Sequence, residues 1–341
     1  MQQLQYLGPR QVDWREVDAP SLPSDQAALV RPIAVATCDL DALIVRGMSP
    51  FPPPFALGHE CVAEVVDVGD KVTGVRPGQR VTVPFQISCG TCDACRRGRT
   101  GNCTTVGFMS TYGFGPVVDE WGGFLSDTVA VPFADHMLVP VPEGLEPAAV
   151  ASASDNIADG WRTVGPALER EPGAEVLVVG GAGPGSIGLY AVAAAIALGA
   201  KRVVYADTDE KRAAVARALG AETEVGAFPK RLGPFPVTVD SSADPDGLAL
   251  AVRSTAPDGT CTSTGIYFND PTPMPLLEMY TKGITFETGR VHAREAIPHV
   301  LELARSQNLR PELVTTRVVG WEDAPEALIA GDWTKLVIAR D

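Results

Sequence analysis

From Glu175 onward, short apolar runs alternate with longer segments of helical length. Val176–Val179 is a strand-sized apolar run; a glycine-rich stretch follows, then a helix through Ala200. Arg202–Ala206 predicts the next strand and Asp209–Leu219 the next helix. Pro236–Asp240 and Thr260–Ile266 continue as buried strands. Strands alternating with helices predict an α/β fold with a doubly wound parallel sheet. The chain up to about residue 150 is different. Candidate strands Ala27–Pro32, Cys61–Val68, Arg80–Pro84 and Ser126–Pro132 are separated by turn signals such as Val68-Gly69-Asp70 and Arg76-Pro77-Gly78. They read as an irregular, mostly β region. After about Gly289 the pattern mixes again, with a helix expected over Ala296–Ser306 and a closing strand at Leu336–Ala339.

The stretch Val176–Ala200 carries no charge and is long enough to span a membrane. Gly180–Gly188 with Pro184 would break a single helix there, so strand, loop and buried helix explain it better. A length of 341 residues accommodates two domains, and a composition of 45% apolar and 21% charged residues is globular. The net charge of -14 argues against a nucleic-acid partner. Met1–Arg10 does not show the charged start and apolar core of a signal peptide. A cytoplasmic protein without a membrane partner is therefore expected.

Chemistry first appears in the run CGTCDACRRGRTGNC. Cys89, Cys92, Cys95 and Cys103 follow the spacing C-x2-C-x2-C-x7-C. Three thiolates on a turning chain and a fourth from beyond a short loop can close on one tetrahedral zinc. A disulfide reading fits poorly with seven cysteines, of which Cys38, Cys61 and Cys261 are scattered. Four thiolates also suit an iron–sulfur cluster, which the spacing leaves open. A closed four-sulfur shell has no free coordination position, so its role is structural.

The second signal is the loop Gly181-Ala182-Gly183-Pro184-Gly185-Ser186-Ile187-Gly188, which contains G-x-G-x-x-G over Gly183–Gly188. Its context carries the weight: a predicted strand precedes it, a helix follows, and Asp207 closes the next strand. Glycines admit a pyrophosphate to the backbone, and the helix N-terminus supplies free N–H groups. Asp207 would accept the ribose hydroxyls and repel a 2′-phosphate, which favours NAD over NADP. Arg212 would reach the same ribose. Asp209 is a rival for capping the helix that follows.

The order of Cys38-Asp39-Leu40-Asp41, Gly58-His59-Glu60, the four-cysteine loop and the glycine loop resembles the zinc-dependent medium-chain alcohol dehydrogenase family over nearly the full length. The resemblance implies a GroES-like irregular β catalytic domain at 1–153, with its structural zinc loop at 86–104. It implies a Rossmann domain at 154–288 and a return to the catalytic domain at 289–341. It further implies a catalytic zinc held by Cys38, His59 and Asp155, with Asp159 as the rival third ligand. Glu60 would swing onto the metal during exchange, and Asp41 would orient His59. Two zincs per chain follow, one catalytic and one structural. Leu40 and Phe85 match pocket-lining positions, and Trp121 is placed near them.

The implied reaction is hydride transfer between NAD(H) and a small-molecule alcohol or polyol, or its ketone or aldehyde, in a cleft between the lobes. Three departures qualify it. Leu40 stands where the family carries a hydroxyl that relays the alcohol proton. Cys61 replaces the glycine usual after His-Glu. The glycine loop is about two residues longer than usual, with Gly185-Ser186 as the insertion. Leu40 therefore keeps open a carbonyl or iminium reductase with an altered proton route; a non-enzymatic NAD- and zinc-binding protein is the third reading. Lys335 is read as solvated, with a cofactor phosphate as its alternative. The family forms homodimers and homotetramers, and Thr260–Phe268 is expected as a sheet edge.

Overall fold

In a computed structural model, the described residues are 1–115, 121–181, 183–268, 271–306 and 308–340. Ala182 of the expected glycine loop lies outside them. The chain divides into two compact units. One comprises Met1–Ala158, Val291–Arg305 and Thr315–Asp341; the other comprises Asp159–Arg290 and Ser306–Val314.

The first unit is built around the strand Ala28–Ala36, whose alternate residues are buried. Glu60–Val68 pairs antiparallel on one side and Leu336–Ala339 on the other, while Val129–Val131 pairs with its first residues. Arg80–Val83 and Val139–Pro140 extend the sheet beyond Glu60–Val68, and Arg317–Gly320 runs parallel to Leu336–Ala339. A hairpin of Gln2–Gly8 and Gln11–Glu16, joined by Phe55–Ala56, forms a second sheet. Leu4, Tyr6, Val30, Val35, Ile44, Phe55, Val65, Phe124 and Ile338 belong to one continuous core. Register fixes what comes next: Ala36 sits opposite both Glu60 and Val337. The residues just outside these pairs, Cys38, His59 and Lys335, are therefore gathered at one end of the sheet.

The expected strand at Ser126–Pro132 is shorter, Val129–Val131. The helix expected at Ala296–Ser306 begins earlier, at Ala293, and ends at Arg305. The closing strand Leu336–Ala339 is present with the expected bounds.

In the second unit the described strands form one parallel sheet in the order Glu222–Val225, Val203–Asp207, Val176–Val179, Phe235–Asp240, Thr255–Ser263, Thr285–Thr288. The chain winds outward from Val176–Val179 one way and then, from Phe235–Asp240, the other. That reversal places a ligand crevice at the carboxyl ends of these two strands. Val176–Val179 and Val203–Asp207 are buried at every position, as sheet strands covered on both faces must be. The helix Ser186–Ala197 is likewise buried nearly all round.

One expectation is overturned here. Thr260–Phe268 is not a sheet edge. The strand is Thr255–Ser263 and it lies inside the sheet, with Phe235–Asp240 and Thr285–Thr288 as partners. Ile266 and Phe268 fall beyond its end and are exposed. Among the described residues, no helix is long and apolar enough to cross a membrane.

Candidate functional site

Cys38 ends the polypeptide's run out of the strand Ala28–Ala36 and caps the helix Asp39–Val45. Its Sγ accepts the Leu40 N–H at 3.4 Å, and its own N–H donates to Asp41 Oδ2 at 2.7 Å. This reciprocal cap fixes the Cys38 side chain and holds Asp41 in the first turn, buried. His59 and Glu60 enter on the facing strand, and Asp155 lies directly before the helix Asn156–Arg170. Cys38, His59, Glu60 and Asp155 each bring one ligand atom to within 4.8 Å of the others, and all four residues are buried.

The His59 ring is fully buried, yet neither ring nitrogen has a hydrogen-bond partner. Nε2 lies 3.5 Å from Asp155 Oδ2 and Nδ1 lies 3.8 Å from Asp41 Oδ1. Leaving a buried polar atom unsatisfied costs about 1–3 kcal/mol. A cation among Cys38, His59 and Asp155 would occupy Nε2, while Nδ1–H would face Asp41.

Charge points the same way. Burial, with Asp155, Asp41 and Glu60 close by, pushes the Cys38 thiol well above its ordinary value. Burial also lifts Asp41, against the pull of His59. Burial opposes charge on His59, but Asp41, Asp155 and Glu60 outweigh it and raise the imidazole's pKa. Burial carries Glu60 to about 7 despite Lys335. Lys335 Nζ lies 2.7 Å from Glu60 Oε2, and it also donates to the Thr37 carbonyl. Ser152 Oγ donates to Glu60 Oε2 at 2.5 Å and the Asn156 N–H to Oε1 at 3.3 Å. A thiol and three carboxyls are gathered about Lys335 and His59, a donor set into which a divalent cation would fit. The donor set of sulfur, imidazole and carboxylate, with Glu60 held back by its own partners, fits a three-ligand zinc with a free position.

The second group, Cys89, Cys92, Cys95 and Cys103, also brings its four sulfurs to within 4.8 Å of one another. All seven cysteines are free thiols, so no disulfide competes. Cys89 Sγ accepts from the N–H groups of Thr91 at 3.4 Å and Cys92 at 3.3 Å and from the Thr105 hydroxyl at 3.0 Å. Backbone N–H groups of Cys95 and Thr104 hold the Cys92 thiol down to about 5. The sulfurs of Cys92 and Cys103 are 3.9 Å apart. Zinc–sulfur bonds of about 2.3 Å in a tetrahedron give an edge of roughly 3.8 Å. The loop is anchored by the Gly101 N–H on His292 Nδ1 at 3.1 Å and by the Ala293 N–H on Gln86 Oε1 at 3.3 Å.

In the second unit, Gly185 caps the helix Ser186–Ala197 with a φ of 75°, the left-handed region that favours glycine. A Cβ on Gly181 would meet the backbone of Ser242, and one on Gly188 would meet the Ser241 side chain. Asp207 ends its strand fully buried. Its Oδ2 accepts from Tyr205 Oη at 2.5 Å and Arg212 Nε at 2.8 Å; its Oδ1 accepts from the Asp209 N–H at 2.9 Å and Arg212 Nη2 at 2.6 Å. The same guanidinium donates to the carbonyls of Gly183 at 2.9 Å and Gly181 at 2.5 Å. The carboxylate expected to face a ribose is thus closed by Arg212. Asp209, not Asp207, caps the helix Glu210–Leu219.

Comparison with known proteins agrees with this geometry. The family described as "Alcohol dehydrogenase GroES-like domain" matches residues 24–143, and "Zinc-binding dehydrogenase" matches 186–306. A medium chain reductase/dehydrogenase of an Acremonium species is 30% identical over 65% of this chain and 74% of its own length. A Mycobacterium tuberculosis protein named "probable zinc-binding alcohol dehydrogenase" is 29% identical over 89% of this chain and 78% of its own. The solved alcohol dehydrogenase of Thermus sp. ATN1 superposes with a TM-score of 0.88, 27% identity and 100% of both chains covered. The chain belongs to the zinc-dependent medium-chain alcohol dehydrogenase family. It is an oxidoreductase of the alcohol and polyol dehydrogenase kind.

Lys335 and Asp159 of this family member stand differently from the sequence expectation. Lys335 is neither solvated nor facing a phosphate: it is fully buried against Glu60. Asp159, the rival ligand, pairs instead with Arg162 Nε at 2.5 Å. Trp121 lines a small recess with Phe55, Thr111 and Gly115. Phe85 lies edge-on to His59 at a ring separation of 6.0 Å. Phe114 was not anticipated, yet its ring covers His59 at 4.2 Å. The only sequence signal for it is an aromatic in a glycine-rich stretch, Gly113-Phe114-Gly115.

Proposed function

We propose that the chain interconverts an alcohol or polyol and its carbonyl using NAD(H). Cys38, His59 and Asp155 would hold a catalytic zinc, with Glu60 as its exchange partner, and the four-cysteine loop would hold a structural one. The observation that carries this reading is the buried His59 with both nitrogens unsatisfied among Cys38, Asp155 and Glu60. When bound, a zinc held by these residues would supply Lewis acidity towards the substrate oxygen, and a nicotinamide would supply the hydride acceptor or donor.

The chain's own residues prepare that chemistry. Asp41 fixes the Cys38 backbone and faces Nδ1, favouring the imidazole tautomer whose Nε2 lone pair points at the ligand cluster. Lys335, Ser152 and the Asn156 N–H hold Glu60 at the edge of the ligand group. The N–H groups opening the helix Ser186–Ala197 would receive the pyrophosphate. Asp207 ends the strand Val203–Asp207 where an acid favours NAD over NADP, and Arg212, which holds both its oxygens, would stand at the same ribose. Leu40 offers no hydroxyl, so the proton does not leave through this side chain.

The test is NAD and NADP reduction over primary, secondary and polyol substrates, with zinc per chain measured in the same preparation. Two zincs and faster turnover with NAD are expected. One zinc and no turnover would discard the Cys38–His59–Asp155 site. Two zincs with carbonyl reduction but no alcohol oxidation would favour the reductase prompted by Leu40.

A further inference from the structure

We infer that the substrate carries its reacting carbinol or carbonyl on an apolar, aryl or alkyl body rather than on a polyhydroxylated chain, and that Phe114 decides this. The inference rests on the proposed ligand set of Cys38, His59 and Asp155 and names the substrate class for it.

The surroundings of the ligands divide into two kinds. The polar ones are buried and already committed. Asp41 accepts the Cys38 N–H, Ser152 donates to Glu60, and Lys335 bridges Glu60 and Thr37. None of these has solvent exposure beyond a few per cent. The phenylalanine rings against His59 are hydrocarbon, and beside Cys38 the half-buried side chains are Leu40 and Asp39. Phe114 is half-buried and lies over the imidazole at 4.2 Å, tilted by 35°. Phe51, also half-buried, meets Phe114 at 5.8 Å, and the buried Phe85 meets it edge-on at 6.3 Å. Leu40, half-buried, stands two residues beyond Cys38 with its N–H on Sγ. Phe114 is thus the hub, the one ring among the described residues in contact with the ligand histidine and with both Phe51 and Phe85.

A substrate brought to the ligands past these rings loses water from whatever it carries. An apolar body exchanges water for ring contacts. A chain of hydroxyls loses its hydrogen bonds and finds none in return from Phe51, Phe85, Phe114 or Leu40. In a hydrophobic pocket one added hydroxyl is worth roughly 10²-fold.

The zinc-loaded protein should be assayed with NAD on benzyl alcohol, 1-octanol, glycerol and sorbitol. Binding of the same alcohols without cofactor should be followed by calorimetry. Benzyl alcohol or octanol is expected to exceed sorbitol and glycerol by about 10²-fold in kcat/KM, with the same rank in binding. Phe114→Ala should lower kcat/KM for benzyl alcohol by about 10-fold, mainly through KM, and narrow the gap to the polyols. Leu40→Ser should narrow it from the other side by helping the polyols. Polyols turned over as well as benzyl alcohol, or a ratio untouched by Phe114→Ala, overturns the inference and leaves the dehydrogenase reading intact. A panel on which nothing turns over overturns that reading, and the calorimetric ranking then still decides the inference.

Discussion

Lys335 and Glu60, which are 275 residues apart, meet as a salt bridge of 2.7 Å with neither side chain exposed. A lysine there sets a positive charge against one carboxyl of the ligand cluster. Removing one partner of a buried pair typically costs about 3–5 kcal/mol, because the other charge is left without compensation. Lys335→Met should therefore lower stability by about that amount in urea denaturation. The double variant Lys335→Met with Glu60→Gln should recover a good part of the loss. If the double variant is as unstable as the single one, the pair is not what Lys335 contributes.

The two cysteine clusters should respond oppositely to the same chemical change. Cys38→Ser is expected to remove one zinc and all alcohol turnover while leaving the melting temperature little changed. Cys92→Ser is expected to remove the other zinc and to destabilise the protein by several kcal/mol, since structural zinc binding is worth roughly 10–16 kcal/mol in small modules. Zinc analysis and thermal melts on both variants check this. Full activity in Cys38→Ser would exclude the metal reading of Cys38.

Gly58 holds His59 in place through a φ of +91°. A Cβ at that position would approach the Leu125 backbone nitrogen to 2.8 Å and Val35 Cγ1 to 3.2 Å. The left-handed conformation alone costs a non-glycine residue roughly 1–2 kcal/mol. Gly58→Ala should lose at least that much stability and bind less zinc at the His59 site. Denaturation together with metal titration reads both, and unchanged zinc affinity would show that His59 is positioned independently of this turn.

His136 supplies a pH dependence. Burial first, and then the Arg294 charge, hold its imidazole down to about 4, against about 6.5 in an unfolded chain. Its Nε2 faces Ser88 Oγ at 3.0 Å. Between those two values the unfolded state binds more protons than the folded one. The contribution of neutral His136 is thus complete above about pH 6.5 and is lost progressively as the pH falls towards 4. Urea midpoints from pH 7.5 to 4.5 should fall more steeply for the wild type than for His136→Gln. Parallel slopes would mean that the imidazole takes up its proton without penalty.

Local signals carried much of this into the sequence. The spacing of Cys89, Cys92, Cys95 and Cys103 needs only a short loop to bring four sulfurs together, and Val176–Val179 with its glycines and Asp207 forms one contiguous unit. What stayed hidden depends on register between distant strands. Lys335 reaches Glu60 because Ala36 pairs with both Glu60 and Val337, which no local pattern reveals. Arg212 closing on Asp207 depends on the path of the loop at Gly181 and Gly183, whose carbonyls it also binds. The strand Thr255–Ser263 begins five residues before the expected Thr260 because it runs through Pro257-Asp258-Gly259, residue types that disfavour a strand. Phe114 escaped because an aromatic in a loop has no periodicity to betray which face it covers.

The pairing of Ala28–Ala36 with Leu336–Ala339 also sets an order of events during synthesis. Thr37 bonds Leu336 across 299 residues, an interval of roughly 15–60 s at ordinary ribosomal speeds of 5–20 residues per second. The strands between Val176 and Thr288 are all made before that interval closes and can pair as they emerge. For most of it, Cys38, His59 and Glu60 have been translated but lack Lys335 and their last neighbouring strand. The surroundings of Cys38, His59 and Glu60 are therefore completed late, whereas the four cysteines of the loop are all present as soon as Cys103 has been made.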